Sequence, residues 1–426
     1  MMASLVRRSV TALAALATIL IAGAQARAES AWTEAYQSSP ATYAPPSDQF
    51  VDFAVKHWHI PADALRAELN KQPIEGTVRY RIAVQAEGSQ LRIRLSNENG
   101  TSPLELAGAS VALAADGFAA GAGTLRRLTF GGVDRISVPT GSPVLSDPVS
   151  LPVKPGTELV VTISLATTYS NEGRGGAGFM LAPGDQTMAA VLPQGAAMMK
   201  GRPIVTGVSV LSETKPNVIV AFGDSITDGN RADHTMLRGW PEALARRLAA
   251  RKGGAAYSAI NAGIGGNRVL SPGWGDAGLA RLDRDALRVE GITHLIVLEG
   301  INDINMSGAS PFGISPELTA GELIGGYRQI IARAHERGIK VYFGTLTPNP
   351  GDALTSTPAK VAMRDAVNAW IRTSGEPDGV IDFDAMVRDP KQPAQFKAEF
   401  DSGDHLHPSE RGYQAMGDGI DLSMFP

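Results

Sequence analysis

Val218-Ile219-Val220-Ala221-Phe222-Gly223-Asp224-Ser225-Ile226-Thr227 joins a continuous apolar run to a short polar segment, and its reading decides the fold of the C-terminal half. A short unbroken apolar run bounded by turn residues reads as a strand buried on both faces. Downstream the rhythm alternates. Trp240 to Arg251 has helical spacing, with Leu244 and Leu248 on one side, and then come strand Tyr257 to Ile260, helix Ala277 to Leu287 and strand Leu295 to Leu298. Helix Thr319 to Arg337, strand Val341 to Gly344, helix Pro358 to Ile371 and strand Val380 to Phe383 continue it. Thr319 and Glu322 form a capping box, and Gly338 is a C-terminal stop. Such alternation specifies a parallel sheet covered by helices.

Upstream the texture differs. Val78 to Ile82 and Leu91 to Leu95 alternate apolar and polar side chains, the period of strands with one buried face. Ser110 to Ala114, Leu125 to Phe130, Arg135 to Val138 and Leu159 to Leu165 are further candidates, separated by turn residues such as Asn97-Glu98-Asn99-Gly100. Many short strands at this spacing suggest a sandwich or jelly roll. Ala31 to Ile74 reads as a mixed lead-in with one helix around Ala62 to Asn70, and the domain boundary falls near Ser212 to Pro216. At the start, Arg7 and Arg8 precede an apolar run from Val10 to Ala24, and Ala26-Arg27-Ala28 supplies small residues for cleavage. The expectation is a signal peptide over 1–28, a β domain over 29–213, an α/β domain over 214–426, and export to a periplasm or the medium. The Val10 to Ala24 run is short for a membrane anchor, and no later stretch is long and apolar enough to span a bilayer.

The composition narrows the function. Over 426 residues the chain is 43% apolar and 19% charged, a folded rather than disordered balance. A net charge of −4 argues against a nucleic-acid partner. With no cysteine, a Cys nucleophile, a Cys-ligated zinc and an iron–sulfur cluster are excluded, and seven histidines leave few candidate bases.

Ser225 sits just past the carboxyl end of a strand, where open α/β sheets bind ligands. Its hydroxyl needs a base and a set of oxyanion donors, and alone it could simply cap a helix. Partners occur in Asp404-His405-Leu406-His407-Pro408. Asp404 and His407 are three apart on a turn entering the last helix, with Pro408 at its first position, and that spacing lets a carboxylate orient an imidazole toward the serine. His405 is the competing base, since an HxH pair also suggests a metal. Asp224, Asp228 and Asp303 read as structural carboxylates. His57 and His59 read as a surface or packing pair, and His234, His294 and His335 stand isolated. Trp240 and Trp274 read as helix packing, with a border of the cleft as the rival role.

These residues fall into four ordered blocks. The C-terminal half resembles the SGNH, or GDSL, hydrolases through Gly223-Asp224-Ser225-Ile226-Thr227, Asn261-Ala262-Gly263-Ile264-Gly265-Gly266-Asn267, Gly300-Ile301-Asn302-Asp303 and Asp404 to His407. The resemblance implies a flavodoxin-like three-layer domain with Ser225, Asp404 and His407 as the triad. It also implies an oxyanion hole of the Ser225 and Gly266 N–H groups and the Asn302 amide, with neither cofactor nor metal. Leu95 to Gly100, Leu128 to Gly132 and Ser146-Asp147-Pro148 resemble the β-sandwich that precedes this domain in a bacterial subgroup. The expected activity is hydrolysis of short-chain acyl esters of small molecules or glycans, with a tilt toward deacetylating carbohydrate. Rivals are a lipase or lysophospholipase, an acyltransferase, and a non-catalytic secreted sugar-binding protein.

Overall fold

The structure is a computed structural model that describes residues 30–41, 48–58, 61–69, 73–170, 178–229, 239–310, 313–314, 316–350 and 355–426. The expected signal peptide, His59 and His234 lie outside the described residues, as does the side chain of His57.

The N-terminal half opens with strand β1 (Ala31–Gln37) and two helices, α1 (Asp48–Trp58) and α2 (Ala62–Leu69). Strands β2 (Thr77–Ala83), β3 (Gly88–Ser96), β4 (Leu104–Leu113), β5 (Glu158–Leu165), β6 (Gly178–Ala182) and β7 (Val205–Ser212) form its framework. One antiparallel sheet pairs β1 with β7 and β7 with β3, and the other runs β6, β2, β5, β4. Short strands add to both edges. The two sheets share one apolar core, with Val78, Tyr80 and Ile82 of β2 facing Leu91, Ile93 and Leu95 of β3, so they form a sandwich.

Strand β1 was not legible because its alternation is broken by Glu34, which is buried against Arg94 and Ser209. Arg79, read as solvent-facing on β2, is fully buried. Its guanidinium is satisfied by Thr162 and by the carbonyls of Phe118, Ala189 and Ala190, so loops cover the second face of that sheet. The motifs flagged upstream also meet. The carboxylate of Asp147 accepts from the Thr129 hydroxyl and from the Gly131 and Gly132 N–H groups, closing that turn.

The C-terminal half contains β8 (Asn217–Gly223), α3 (Ser225–Asp228), α4 (Trp240–Ala250), β9 (Tyr257–Gly263), α5 (Gly278–Leu282) and β10 (Ile292–Leu298). It continues with α6 (Ile301–Asn305), α7 (Ala320–His335), β11 (Lys340–Gly344), α8 (Pro358–Thr373), β12 (Gly379–Ile381), α9 (Phe383–Val387) and α10 (Glu410–Gly419). Strands β8 to β12 form one sheet in which every pairing is parallel, in spatial order β9-β8-β10-β11-β12. Renumbered within the sheet this is 2-1-3-4-5, the flavodoxin-like order. The run Val218 to Phe222 is buried throughout, as a central strand covered on both faces requires. Helix α4 packs with α10 while α5, α7 and α8 pack on one another in turn, the two-sided cover that the right-handed crossover rule gives for this strand order, so the domain has three layers.

The expected helix Ala277 to Leu287 is interrupted. After α5 the chain widens into a π-helical turn, Asp283–Leu287, closed by Arg288 N–H donating to the Asp283 carbonyl. The N-terminal half meets the β9 side of the parallel sheet. The Ser258 hydroxyl donates to the Glu34 carbonyl at 2.9 Å, Gln37 donates to the Asp285 carbonyl at 2.7 Å, and Arg202 contacts both carboxylate oxygens of Asp228 at 3.3 Å.

Candidate active site

Three neighbouring strands deliver three of the four blocks to one edge. Gly223 at the end of β8 stands beside Gly263 of β9 and Leu298 of β10, so the segments that follow emerge side by side. The direction of winding reverses between β8 and β10, which is where such sheets bind ligands. Ser225 opens α3 directly after β8, Gly266 lies in the loop after β9, and Asn302 is the second residue of α6 after β10.

The fourth block arrives from the other end of the chain on a tight turn. An isolated bridge pairs Asp401 with Pro408, and Ser402 N–H donates to the His407 carbonyl. The turn brings His407 Nε2 to 2.8 Å from Ser225 Oγ, and His407 Nδ1 to 2.7 Å from Asp404 Oδ2. Asp404 Oδ1 accepts from the N–H groups of His407 and Leu406 and from the Ser402 hydroxyl. Burial pulls the Asp404 carboxyl upward, but the hydrogen bond and charge of His407, with those N–H groups, outweigh it and hold it well below the usual carboxylate range. A carboxylate that only accepts requires the proton on Nδ1, which leaves the Nε2 lone pair facing Ser225.

His405 is not part of this relay. It adopts φ 60°, its side chain is largely exposed, and its Nδ1 lies 2.6 Å from Asp401 Oδ2. Among the described residues, no group of three or more His, Asp or Glu is placed to hold a metal ion. Pro408 differs from expectation. The last helix begins at Glu410 with the Ser409 hydroxyl accepting from Gly412 N–H, so Pro408 precedes the cap instead of opening the helix.

The oxyanion candidates are built differently from one another. One hydrogen of the Asn302 side-chain amide is donated to the Asn267 carbonyl at 3.1 Å, which fixes the amide's orientation and leaves its second hydrogen for another acceptor. Gly266 has φ +75°, and a Cβ there would stand 1.8 Å from the Trp274 ring. The absent side chain therefore makes room for an indole beside the candidate oxyanion donor. Trp274 packs against helices, as its sequence reading expected, although the helices belong to the N-terminal half. It lies in the loop after β9, against Gly266 on one side and against Val51, Ala54 and Leu65 of α1 and α2 on the other. Trp240 is core, fully buried against Phe383.

The remaining acids hold structure. Asp224 caps α3 by accepting from Ile226 N–H, and burial, reinforced by nearby Asp303, lifts its carboxyl to about 7. Asp303 grips the loop after β9 through the N–H groups of Val269 and Leu270, and burial lifts it to about 6. Asp228 pairs with Arg202 of the N-terminal half. His294 is a core residue, stacked on Tyr342, and burial pushes its imidazole down to about 4. His335 pairs at the surface with Asp378.

Residues 221–415 match the family described as GDSL-like lipase/acylhydrolase, a span that contains all four blocks. Residues 221–415 form a GDSL-like lipase/acylhydrolase domain. Solved structures similar to the GDSL domain include a GDSL-like lipase from Bacteroides thetaiotaomicron, 16% identical over 50% of this chain and 89% of that one, with a TM-score of 0.37. A member of the lipolytic G-D-S-L family from Veillonella parvula is 21% identical over 49% of this chain and 97% of that one, with a TM-score of 0.33. A catalytic mutant of an acetylxylan esterase from Geobacillus stearothermophilus is 19% identical over 48% and 91%, with a TM-score of 0.37. No curated protein matches the chain. Around the GDSL site, sequence reasoning passed over Arg281, Glu299 and Asn267, all buried beneath the strand ends. An arginine inside Leu279-Ala280-Arg281-Leu282-Asp283-Arg284 reads as a solvated helix face, and only the π-helical turn sets it apart.

Proposed function

We propose that this chain is an exported serine esterase that hydrolyses short-chain acyl esters through an acyl-enzyme on Ser225, with acetylated carbohydrate as its substrate class. The observation that carries the reading is the 2.8 Å contact between Ser225 Oγ and His407 Nε2, backed by Asp404. In the proposed reaction Oγ attacks the ester carbonyl carbon while its proton passes to Nε2, and Asp404 stabilises the imidazolium. The oxyanion is held by the Ser225 and Gly266 N–H groups and the Asn302 amide. Collapse expels the alcohol, which takes the proton from His407, and water then repeats the sequence to release the acid. Residues 29–213 serve as a β-rich partner to a catalytic unit over 214–426, and residues 1–28 direct export. Export and the β-rich partner favour a glycan ester over a membrane lipid.

The test is turnover of nitrophenyl esters of increasing acyl length and of acetylated oligosaccharides, with Ser225→Ala as control. The reading expects activity that drops steeply beyond butyryl and is abolished in the control. An optimum at long chains favours a lipase, transfer to a sugar in preference to water favours an acyltransferase, and absence of turnover leaves a sugar-binding protein.

A further inference from the structure

We infer that Arg281 is a positioning residue that sets the oxyanion hole by tying together the three strand ends carrying Ser225, Gly266 and Asn302. The inference rests on the acyl-transfer reading above. Arg281 is 1% exposed, and its guanidinium lies 3.8 Å over the Phe222 ring. Each of its five N–H donors has an acceptor. Nη2 donates to the Gly223 carbonyl at 2.9 Å, two residues before Ser225, and to Glu299 Oε2 at 3.4 Å, three residues before Asn302. Nε donates to Asn267 Oδ1 at 2.7 Å, and Asn267 directly follows Gly266. Nη1 donates to the Ala262 carbonyl at 2.8 Å and to Asp285 at 3.2 Å.

The chemistry of the fork explains why this arrangement transmits position. A guanidinium is planar and rigid, so its five bonds fix their acceptors relative to one another. Asn267 extends the same frame outward, because its backbone carbonyl holds the Asn302 amide that Arg281 does not itself touch. Asp285, bonded also to Arg284, anchors the cation from below. Lysine could supply the charge but not five directed donors. Apart from Asp285 in the adjoining π-helical turn, the acceptors bonded to Arg281 come from the end of β8, from β9 and the loop after it, and from the segment after β10.

The experiment measures kcat and KM for a nitrophenyl acetate substrate, with kcat expressed per phosphonate-titrated serine so that unfolded protein is not counted. Arg281→Lys is expected to lower kcat by about 10- to 100-fold with KM within about threefold, the pattern of a contact expressed only in the transition state. Adding Asn302→Ala is expected to cost much less in the Arg281→Lys protein than in the wild type, because the donor it removes is already misplaced. A kcat per site within about twofold of wild type, or losses that multiply fully, overturns the proposal. Should Arg281→Lys fail to fold, Asn267→Ala removes one arm of the frame. A kcat loss of about fivefold or more at constant KM supports the clamp, and a smaller loss overturns it. Hydrolysis that survives Ser225→Ala, or is absent from the wild type, overturns the acyl-enzyme reading itself. Normal hydrolysis with indifferent Arg281 and Asn267 variants overturns only the clamp.

Discussion

A serine hydroxyl gains nucleophilicity only from what surrounds it, and the proposed mechanism gives each neighbour of Ser225 a separable duty. Asp404→Asn should lower turnover by about 10^4-fold with the fold intact, since the amide would favour the wrong tautomer of His407. Circular dichroism beside kinetics checks it. Asn302→Ala should cost about 10^2- to 10^3-fold in kcat with little change in melting temperature, because the loss belongs to the transition state. Equal activity would mean the oxyanion is held elsewhere. Gly266→Ala should destabilise by more than the 1–2 kcal/mol typical of a left-handed non-glycine residue, as the new methyl also collides with Trp274. Urea unfolding measures this. The convergence of Ser225, Asp404 and His407 was legible, since they fall in short segments whose spacing already suggests a relay. Arg281 was not, nor were the partners of Trp274, because burial of a charge and the choice of a distant helix are set by tertiary packing that no local pattern encodes.

At the scale of elements, legibility followed environment. The parallel strands were readable because full burial leaves an unbroken apolar run, and helix α7 was readable from its cap. The observed Thr319 and Glu322 contacts are reciprocal. Strands such as β1 were hidden because partner side chains, Arg94 and Ser209 for Glu34, make a buried acid tolerable at a position where polarity signals exposure. The short helices α3 and α6 escaped notice because each is barely more than one turn at a strand end. The start of α10 illustrates a cap outweighing a proline. Ser409→Ala should cost about 1 kcal/mol of stability through loss of the Gly412 contact. A thermal melt at constant pH would detect it.

For the whole molecule, two halves of different architecture meet through buried polar contacts, and a cluster of acids lies beneath the catalytic edge. Within that cluster, burial lifts the Glu299 carboxyl to about 8 from an ordinary 4.5. Between those values the folded chain holds a proton that the unfolded chain releases. The group's contribution to stability is therefore complete below about pH 4.5 and lost as pH rises to about 8. Glu299→Gln has no such titration, so its melting temperature should improve relative to wild type between pH 5 and 8. A difference that stays flat with pH would refute that assignment.

The most direct measurement of the central claim is covalent labelling with a fluorophosphonate, followed by mass mapping of the modified peptide. The account expects one adduct, on Ser225, formed rapidly in the wild type and slowed by orders of magnitude in His407→Ala. A label on another serine, or one on Ser225 that forms equally fast without His407, would contradict it.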